Sequence, residues 1–364
     1  MGLSVGIVGL PNVGKSTIFN ALTAAGAQSA NYPFCTIEPN VGIVPVVDER
    51  LERLAKMASS KQTIFTDLKV VDIAGLVKGA SKGEGLGNQF LANIRETDAI
   101  LHVVRCFVDP NVVHVENSID PGRDIEIIET ELMLADLDTL TKRVERIARL
   151  ARTGQKDAQI EVDVLKRALA AIDSGKPVRS VEWQPEEKKL VGTLNLITSK
   201  PVLFVANVSE DDLEKDGPEV TRVKQIAAEK GGEVVKIQGE LEAQIAQLPP
   251  ADRAEFLKEM GLEEPGLAIL IRAAYRLLGL ETFFTVGPKE ARAWTIHQGT
   301  KAPQAAGEIH SDFERGFIRA ETVGYQTLLE MGSELAARGA GKIRSEGKEY
   351  TVQDGDVILF RFNV

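Results

Sequence analysis

A glycine-rich segment near the N-terminus has the spacing of a phosphate-binding loop. The segment Gly9-Leu-Pro-Asn-Val-Gly14-Lys15-Ser16 follows an apolar stretch, Leu3 to Val8, and precedes the helix-like stretch Thr17 to Ala25. In this context the glycines let the backbone wrap around a phosphate, and loop amides and the helix N-terminus supply positive partial charge. The residues expected to contact a nucleotide are Asn12, Val13, Gly14, Lys15, Ser16 and Thr17.

Two side chains of this loop carry distinct chemistry. Lys15 is expected to bridge the β- and γ-phosphates, which makes it both a binding and a catalytic residue. Ser16 supplies a hydroxyl to Mg²⁺, which prefers hard oxygen ligands. The loop therefore predicts a magnesium-dependent nucleoside triphosphate site.

Three further positions are predicted to complete this site. Asp72 ends the apolar strand Leu68 to Val71, where its carboxylate can hold a water of Mg²⁺. Gly75 follows, with an amide placed to sense the γ-phosphate. Thr36, in the turn-rich stretch that begins at Asn31, is expected to join the metal shell only when a γ-phosphate is present. The expected metal ligands are thus Ser16, Thr36 and Asp72.

Glycines at 79, 83, 85 and 87 follow Gly75 and are typical of a segment that responds to the nucleotide. A plain flexible loop is the alternative, because glycine runs need not be functional. Leu76 occupies the position where many GTPases carry the glutamine that orients the attacking water, and leucine cannot do so.

The base-reading segment follows the strand Pro201 to Ala206. A guanine-reading Asn-Lys-x-Asp would be expected there, but the chain has Asn207-Val208-Ser209-Glu210. The replacement removes the aspartate that accepts two guanine protons, and adenine offers no such pair of donors. The segment therefore favours ATP over GTP, with Asn207 and Glu210 at the base and Gln238-Gly239 closing the pocket.

These segments together resemble the YchF or Obg-like ATPase family. The resemblance covers essentially the whole chain and includes Asp72-Ile-Ala-Gly-Leu-Val-Lys-Gly79, Arg292-Ala-Trp-Thr-Ile296 and Lys301-Ala-Pro-Gln-Ala-Ala-Gly-Glu-Ile-His310. It implies an ATPase cycle, with slow intrinsic turnover, in a regulatory protein that associates with ribosomes. It also implies a base contact from the Val208 backbone and a water-positioning role for His114. His102, inside an apolar strand, is expected to be a packing residue.

A helical hairpin is predicted to interrupt the nucleotide domain over residues 124–195. Apolar residues alternate at spacings of four and three before a break at Thr153-Gly154 and repeat the spacing after it. The seam residues are Met133, Leu137, Leu140, Val144, Ile147 and Ala151, then Val162, Leu165, Leu169 and Ile172. Residues 142–156, the hairpin tip, have a net charge of +5, which indicates either a ribosomal RNA contact or a solvated helix face.

The predicted fold class is α/β: an Obg-type P-loop domain resembling a G domain over residues 1–279, carrying the inserted hairpin. Short strands from Leu280 onward predict a small α+β domain over 280–364, which the family resemblance identifies as a TGS domain, a β-grasp module.

Composition fits a cytoplasmic protein without a membrane segment. We expect a monomer, although composition does not determine the oligomeric state. Of 364 residues, 43% are hydrophobic and 26% are charged, and no apolar run approaches 18 residues. Two cysteines are too few for a disulfide framework. With a net charge of -10, a nucleic-acid contact requires a local basic patch. A metabolic P-loop kinase and a nucleotide-gated scaffold with negligible turnover remain alternatives, as does a GTPase of the same class.

Overall fold

The computed structural model describes residues 3–29, 40–73, 86–116, 118–152 and 154–363. The chain forms two compact units. The first comprises Met1–Val44 and Lys69–Ala274, and the second comprises Pro45–Leu68 and Tyr275–Val364. Within the described ranges, no helix is both long and apolar enough to cross a membrane.

The first unit is built on a six-stranded sheet with the strand order β2-β4-β1-β5-β6-β7. The strands are β1 (Ser4–Val8), β2 (Val41–Val46), β4 (Thr66–Asp72), β5 (Ala99–Cys106), β6 (Val202–Val208) and β7 (Glu233–Ile237). Strand β1 pairs in parallel with β4 and β5, and β6 pairs in parallel with β5 and β7. Every residue of β5 and β6 is buried, as expected for strands covered on both faces.

Register places the predicted site at one edge of this sheet. Ile7 pairs with Asp72, and Arg105 pairs with Asn207, so β1, β4, β5 and β6 all end at the same edge. The carboxyl edge of a parallel sheet is where ligands bind in such folds. The glycine loop after β1 therefore lies beside Asp72 on one side and Asn207 on the other.

Helices of the first unit follow most of these strands. They are α1 (Lys15–Ser29), α3 (Leu86–Arg95), α4 (Pro121–Ala151), α5 (Lys156–Asp173), α6 (Pro185–Thr193), α7 (Asp211–Glu214), α8 (Pro218–Glu229), α9 (Gly239–Gln247), α10 (Pro250–Glu259) and α11 (Gly266–Leu277).

Helices α4 and α5 form the predicted antiparallel hairpin. All ten predicted seam residues belong to one apolar cluster. The charged pair Arg143 and Glu161 joins the two helices at 2.5 Å. Helix α4 begins at Pro121, earlier than the predicted residue 124, because Asp120 accepts a hydrogen bond from the backbone N–H of Arg123 and caps the helix there.

The second unit is a mixed sheet packed with short helices, and its strand order is β11-β10-β12-β8-β9-β3. The strands are β3 (Gln62–Ile64), β8 (Leu280–Val286), β9 (Glu290–His297), β10 (Phe317–Gly324), β11 (Arg344–Glu346) and β12 (Asp356–Phe362). Its helices are α2 (Glu49–Ala58), α12 (Ala302–Ile309), α13 (Ser311–Arg315), α14 (Tyr325–Met331) and α15 (Glu334–Gly339). The β8–β9 hairpin is antiparallel, whereas β12 pairs with β8 in parallel.

Residues 45–68 belong to this second unit, although the sequence-based division at 279 placed them with the nucleotide domain. Strand β3 pairs in parallel with β9, and Leu51 and Leu54 of α2 are buried in one cluster with Phe284. The cause is pairing between segments that are far apart in the chain, which local sequence patterns do not reveal.

Candidate nucleotide-binding site

The glycine loop has a backbone shape that only particular residues adopt. Gly14 has φ 98° and Asn12 has φ 59°, both in the left-handed region. A Cβ atom on Gly14 would also lie 2.2 Å from Nδ2 of Asn207. Glycine is therefore required at position 14 for both backbone conformation and space.

Lys15 is the first residue of α1, and its side chain is turned back onto the loop. Its Nζ donates to the carbonyl oxygen of Leu10 at 2.7 Å. Burial lowers the pKa of Lys15 to about 8, because an ammonium without water is disfavoured, while the nearby charge of Asp72 acts in the opposite direction. The arrangement holds a cation at a helix N-terminus, where a phosphate oxygen could replace the Leu10 carbonyl.

Ser16 and Asp72, two of the three predicted metal ligands, are in direct contact. The Ser16 hydroxyl donates to Oδ2 of Asp72 at 3.0 Å. The other carboxylate oxygen, Oδ1, is buried and has no hydrogen-bond partner among the described residues. A buried carboxylate oxygen without a partner is costly, and a hydrated Mg²⁺ would satisfy it.

This donor set fits magnesium better than a transition metal. Over the described residues, no group of three or more His, Cys, Asp or Glu side chains could hold an ion. Magnesium is usually held by few protein oxygens together with waters and phosphates. Ser16 and Asp72 are the described residues that would hold it. Thr36, the third predicted ligand, and Gly75 and Leu76 lie outside the described residues.

Asn207 connects the glycine loop to the segment at Gly239, which is predicted to close the base pocket. Its Nδ2 donates to the carbonyl oxygen of Val13 at 2.9 Å, and its Oδ1 accepts from the backbone N–H of Gly239 at 3.0 Å. Both ends of the amide are thus used, so the buried side chain holds three segments in register. Asn207 acts here by positioning the backbone around the site.

A cleft of about 470 Å³ opens next to Asn207. Its walls include the residues predicted to surround the base, namely Val208, Glu210 and Gln238-Gly239. Asn12, Gly14 and Thr17, which are predicted to contact phosphate, also line it. The structure therefore brings the predicted phosphate and base residues to one cavity of a size typical for small ligands.

A further part of the cleft wall was not predicted from the sequence. It is formed by residues 107–110 and Val112, which follow strand β5. We call residues 107–116 the β5 loop. Phe107 is half-buried and Val108 is 84% exposed, so apolar surface faces the opening. The sequence offered only the apolar pair Phe107-Val108 directly after a buried strand, and such a pair is too common to indicate a binding site.

His114 lies in the β5 loop, and both of its ring nitrogens are occupied. Nδ1 accepts from the backbone N–H of Glu116 at 3.1 Å, so Nε2 carries the proton and donates to Oδ2 of Asp124 at 2.8 Å. The ring and the carboxylate are both buried. In this conformation His114 does not line the base cleft, and orienting a water requires one of these two bonds to open.

The preceding residue links the β5 loop to the glycine loop. Nδ2 of Asn12 donates to the carbonyl oxygen of Val113 at 3.1 Å. His114 is therefore adjacent in the chain to a residue that touches the phosphate loop.

Two other titratable groups near the sheet are interior packing residues. His102 is buried against Phe204, with ring centroids 5.6 Å apart, and burial lowers its pKa to about 4. Burial likewise raises the pKa of Cys106 to about 12. Both groups are uncharged near pH 7, which agrees with packing rather than chemistry.

Comparisons with known proteins identify relatives that extend along the whole chain. The family model YchF-GTPase_C, described as a protein of unknown function, matches residues 280–363, and MMR_HSR1, described as a 50S ribosome-binding GTPase, matches residues 4–133. The ribosome-binding ATPase YchF of Bacillus subtilis (strain 168) is 56% identical over 366 residues, which cover 100% of both chains. The chain belongs to the YchF family.

Other members of the YchF family agree in length and fold. The ribosome-binding ATPase YchF of Escherichia coli O157:H7 is 54% identical over 364 residues, with 100% of both chains covered. The solved structure of the Schizosaccharomyces pombe YchF GTPase has a TM-score of 0.89 and 37% identity, covering 99% of this chain and 98% of that one. The YchF resemblance and the predicted α/β P-loop fold are thereby confirmed.

Proposed function

We propose that this chain is a magnesium-dependent ATPase that works as a nucleotide-controlled switch on the ribosome. The observation that carries the proposal is the single cleft that joins Gly14 and Thr17 of the phosphate loop to the Asn207–Glu210 segment. The bacterial relatives are named ribosome-binding ATPases, whereas the Schizosaccharomyces pombe relative is named a GTPase. The choice of base therefore has to be argued from the cleft.

The base end of the cleft lacks the group that selects guanine. Glu210 stands where a guanine-reading aspartate would be, is one methylene longer, and is exposed at the start of α7. Without two well-placed acceptors, a buried guanine edge would keep unpaired donors. Adenine has no such pair of donors on that edge, so ATP binding does not carry this cost.

The chain's own residues bind the phosphates and compensate their negative charge. Lys15 exchanges its Leu10 contact for phosphate oxygens, and the amides that begin α1 add their partial charges. When bound, Mg²⁺ neutralises charge that develops on the transferred phosphoryl group. Ser16 and Asp72 would hold that ion, with Thr36 as a proposed third ligand and Gly75 as a proposed γ-phosphate contact.

His114 is the proposed water-positioning residue. Its neutral ring can orient a water only after its bond to Asp124 or to the Glu116 amide opens. This requirement supports slow intrinsic turnover and a switch that depends on a partner.

Calorimetry with ATP and GTP tests the nucleotide assignment. We expect ATP to bind at least about tenfold more tightly, the ratio that about 1.4 kcal/mol of lost guanine pairing supplies. Equal or tighter GTP binding would mean that Glu210 reaches the guanine edge and that the chain is a GTPase.

Ribosome association is proposed to use the hairpin tip. Lys142 pairs with Asp138 at 2.7 Å and Arg143 pairs with Glu161, but the remaining basic residues of the tip are exposed. Across the described residues, no ion pair is found for Arg146, Arg149, Arg152 or Lys156. These four cations are available to a polyanion such as ribosomal RNA.

Charge reversal at the tip tests this contact. Replacing Arg146, Arg149 and Arg152 with Glu should weaken ribosome co-sedimentation and flatten its salt dependence, since fewer counterions are released. The matched control reverses exposed Lys166, Lys188 and Lys189, which lie on α5 and α6. Equal losses in both variants, or none in the first, would leave the tip as a solvated helix face.

Turnover assays with and without ribosomes separate the remaining alternatives. Stimulation by ribosomes supports the switch, negligible turnover in both conditions favours a scaffold, and phosphoryl transfer to a small acceptor would indicate a kinase. A cytoplasmic location and a monomeric state belong to the same proposal, and sedimentation of the free protein checks the latter.

A further inference from the structure

Arg105 is the most deeply buried arginine near the cleft. It lies next to the last residue of β5, in register with Asn207, and is only 1% exposed. Its neighbours in the strand are apolar or buried. Burying a guanidinium costs several kcal/mol unless its donors are satisfied, so its contacts need an explanation.

The guanidinium of Arg105 donates three hydrogen bonds to the backbone of the β5 loop. Nε donates to the carbonyl oxygen of Phe107 at 3.1 Å, Nη1 to that of Val112 at 3.0 Å, and Nη2 to that of Asp109 at 3.3 Å. The guanidinium carbon also lies 4.5 Å from the centroid of the Phe107 ring. One planar fork thus binds three carbonyls that diverge along the loop, which a lysine could not do.

Carbonyl dipoles and the aromatic ring compensate the charge of Arg105. Within the described part of the chain, it has no carboxylate at ion-pair distance. All three of its hydrogen bonds are therefore made to the backbone of the β5 loop. We expect a substitution of Arg105 to alter the conformation of this loop.

The three residues that Arg105 binds all line the base side of the cleft. Phe107, Asp109 and Val112 are wall residues, whereas Arg105 itself does not reach the cavity. The far end of the loop is held separately, by the bond from Asn12 to Val113. The phosphate loop keeps its shape through Gly14, Asn12 and Asn207. Arg105 pairs with Asn207 through the strand backbone, but its guanidinium donates to the carbonyls of Phe107, Asp109 and Val112 and to none of these three residues.

We propose that Arg105 is a positioning residue that sets the wall against which the nucleotide base binds, without contributing to phosphate binding. The proposal rests on the nucleotide site assigned above. It makes Arg105 a determinant of affinity for ligands that carry a base, acting through the backbone at Phe107, Asp109 and Val112.

The test compares ADP with inorganic tripolyphosphate, both measured by calorimetry in the presence of Mg²⁺. Arg105→Met removes the three hydrogen bonds at similar side-chain length. We expect it to weaken ADP binding about tenfold or more, as loss of charged hydrogen bonds would, and to leave tripolyphosphate binding unchanged. Arg105→Lys keeps the positive charge but has a single ammonium group as donor. It should weaken ADP binding less than Arg105→Met does and should also leave tripolyphosphate binding unchanged.

Arg95→Met is the matched control. The half-buried Arg95 also donates to a carbonyl, that of Ala135, and to the Thr139 hydroxyl, but neither lines the cleft. It should leave both affinities unchanged. If Arg105→Met does not fold, as judged by circular dichroism, Arg105→Lys provides the test through its ratio of ADP affinity to tripolyphosphate affinity.

Two results would overturn the proposal: equal losses of ADP and tripolyphosphate affinity, or no loss of ADP affinity. Repeating the series with GDP separates this from the proposed function. A preference of the unchanged protein for GDP would overturn the ATPase assignment, while the ratio of GDP to tripolyphosphate affinity would still test the positioning role of Arg105.

Discussion

The glycine loop and the β5 loop both follow strands of the same sheet, but different forces fix their shapes. The glycine loop is held mainly by its own residues, through positive φ at Asn12 and Gly14 and a hydrogen bond from Lys15 to Leu10, with one further bond from Asn207 to Val13. The β5 loop is held by side chains from three places, namely Arg105, Asn12 and Asp124.

This difference separates two tasks within one site. A loop set by local backbone geometry presents its amides in the same way whether or not a partner is present. A loop set by several side-chain contacts can release one contact and keep the others. We therefore expect phosphate binding to depend mainly on the glycine loop, and affinity for the base and positioning of the water to depend also on the β5 loop.

The largest expected effect is on the glycine loop, from Lys15→Ala. The substitution removes a buried cation worth up to about 3 kcal/mol to a charged ligand, so affinity for ATP and for tripolyphosphate should both fall by about 100-fold. Calorimetry on the folded variant measures both. Retained tripolyphosphate binding or full ATPase activity would show that Lys15 is not the phosphate ligand.

In the β5 loop, His114→Ala should have an equally large effect on a different quantity. Turnover should fall by about 100-fold while nucleotide affinity stays nearly unchanged, because a water-positioning group acts in the transition state. Steady-state assays and calorimetry give the two values, and His297→Ala, at an exposed position, is the control. A parallel fall in affinity would assign His114 a structural role through Asp124.

A smaller effect is expected from Asp72→Asn, which tests the proposed metal ligand at the end of β4, beside the glycine loop. The amide still accepts the Ser16 hydrogen bond but loses the charge that orients hydrated Mg²⁺. Loss of such an indirect contact typically weakens metal binding by about 10-fold to 100-fold. The Mg²⁺ concentration for half-maximal turnover should rise accordingly, and an unchanged Mg²⁺ dependence would contradict the assignment of Asp72.

The smallest expected effect is the change of nucleotide affinity with pH. It tests the glycine loop without a substitution, because Lys15 belongs to that loop. In the free protein, burial lowers the pKa of Lys15 to about 8, and only the protonated amine attracts phosphate. Affinity should therefore be full below this value and fall as pH rises through it, by about tenfold between pH 7 and pH 9. Adenosine, which lacks phosphates, should show no such change in a parallel titration.

The same contrast explains how much of the site the sequence could predict. The glycine loop, its helix and the α4–α5 seam were predictable because their determinants are neighbours at fixed spacing. The segment at Asn207 was predictable because it follows a buried strand that ends at the site. The roles of Thr36 and Gly75 stay predictions, since those residues lie outside the described ranges.

The β5 loop could not be predicted in this way. Arg105 is the last residue but one of an apolar strand, and a single charged residue there resembles an ordinary strand boundary. Phe107 and Asp124 gain their roles only through contacts made after folding. Asn12 meets Val113 across 101 residues of chain, and no local pattern encodes that contact.

The interrupted course of the chain has a consequence for the order of folding. Helix α2 and strand β3 are synthesised early, but their apolar partners around Phe284 and Val357 come from the C-terminal part of the chain. Such pairing over long sequence separation slows folding and leaves apolar surface without its partner in the meantime. During synthesis, Leu51 and Leu54 stay exposed, or are covered by a chaperone, until the C-terminal part of the chain is made. A fragment that starts at residue 280 would lack both elements and present the uncovered face, so a stable isolated second unit requires residues 45–68 to be joined to it.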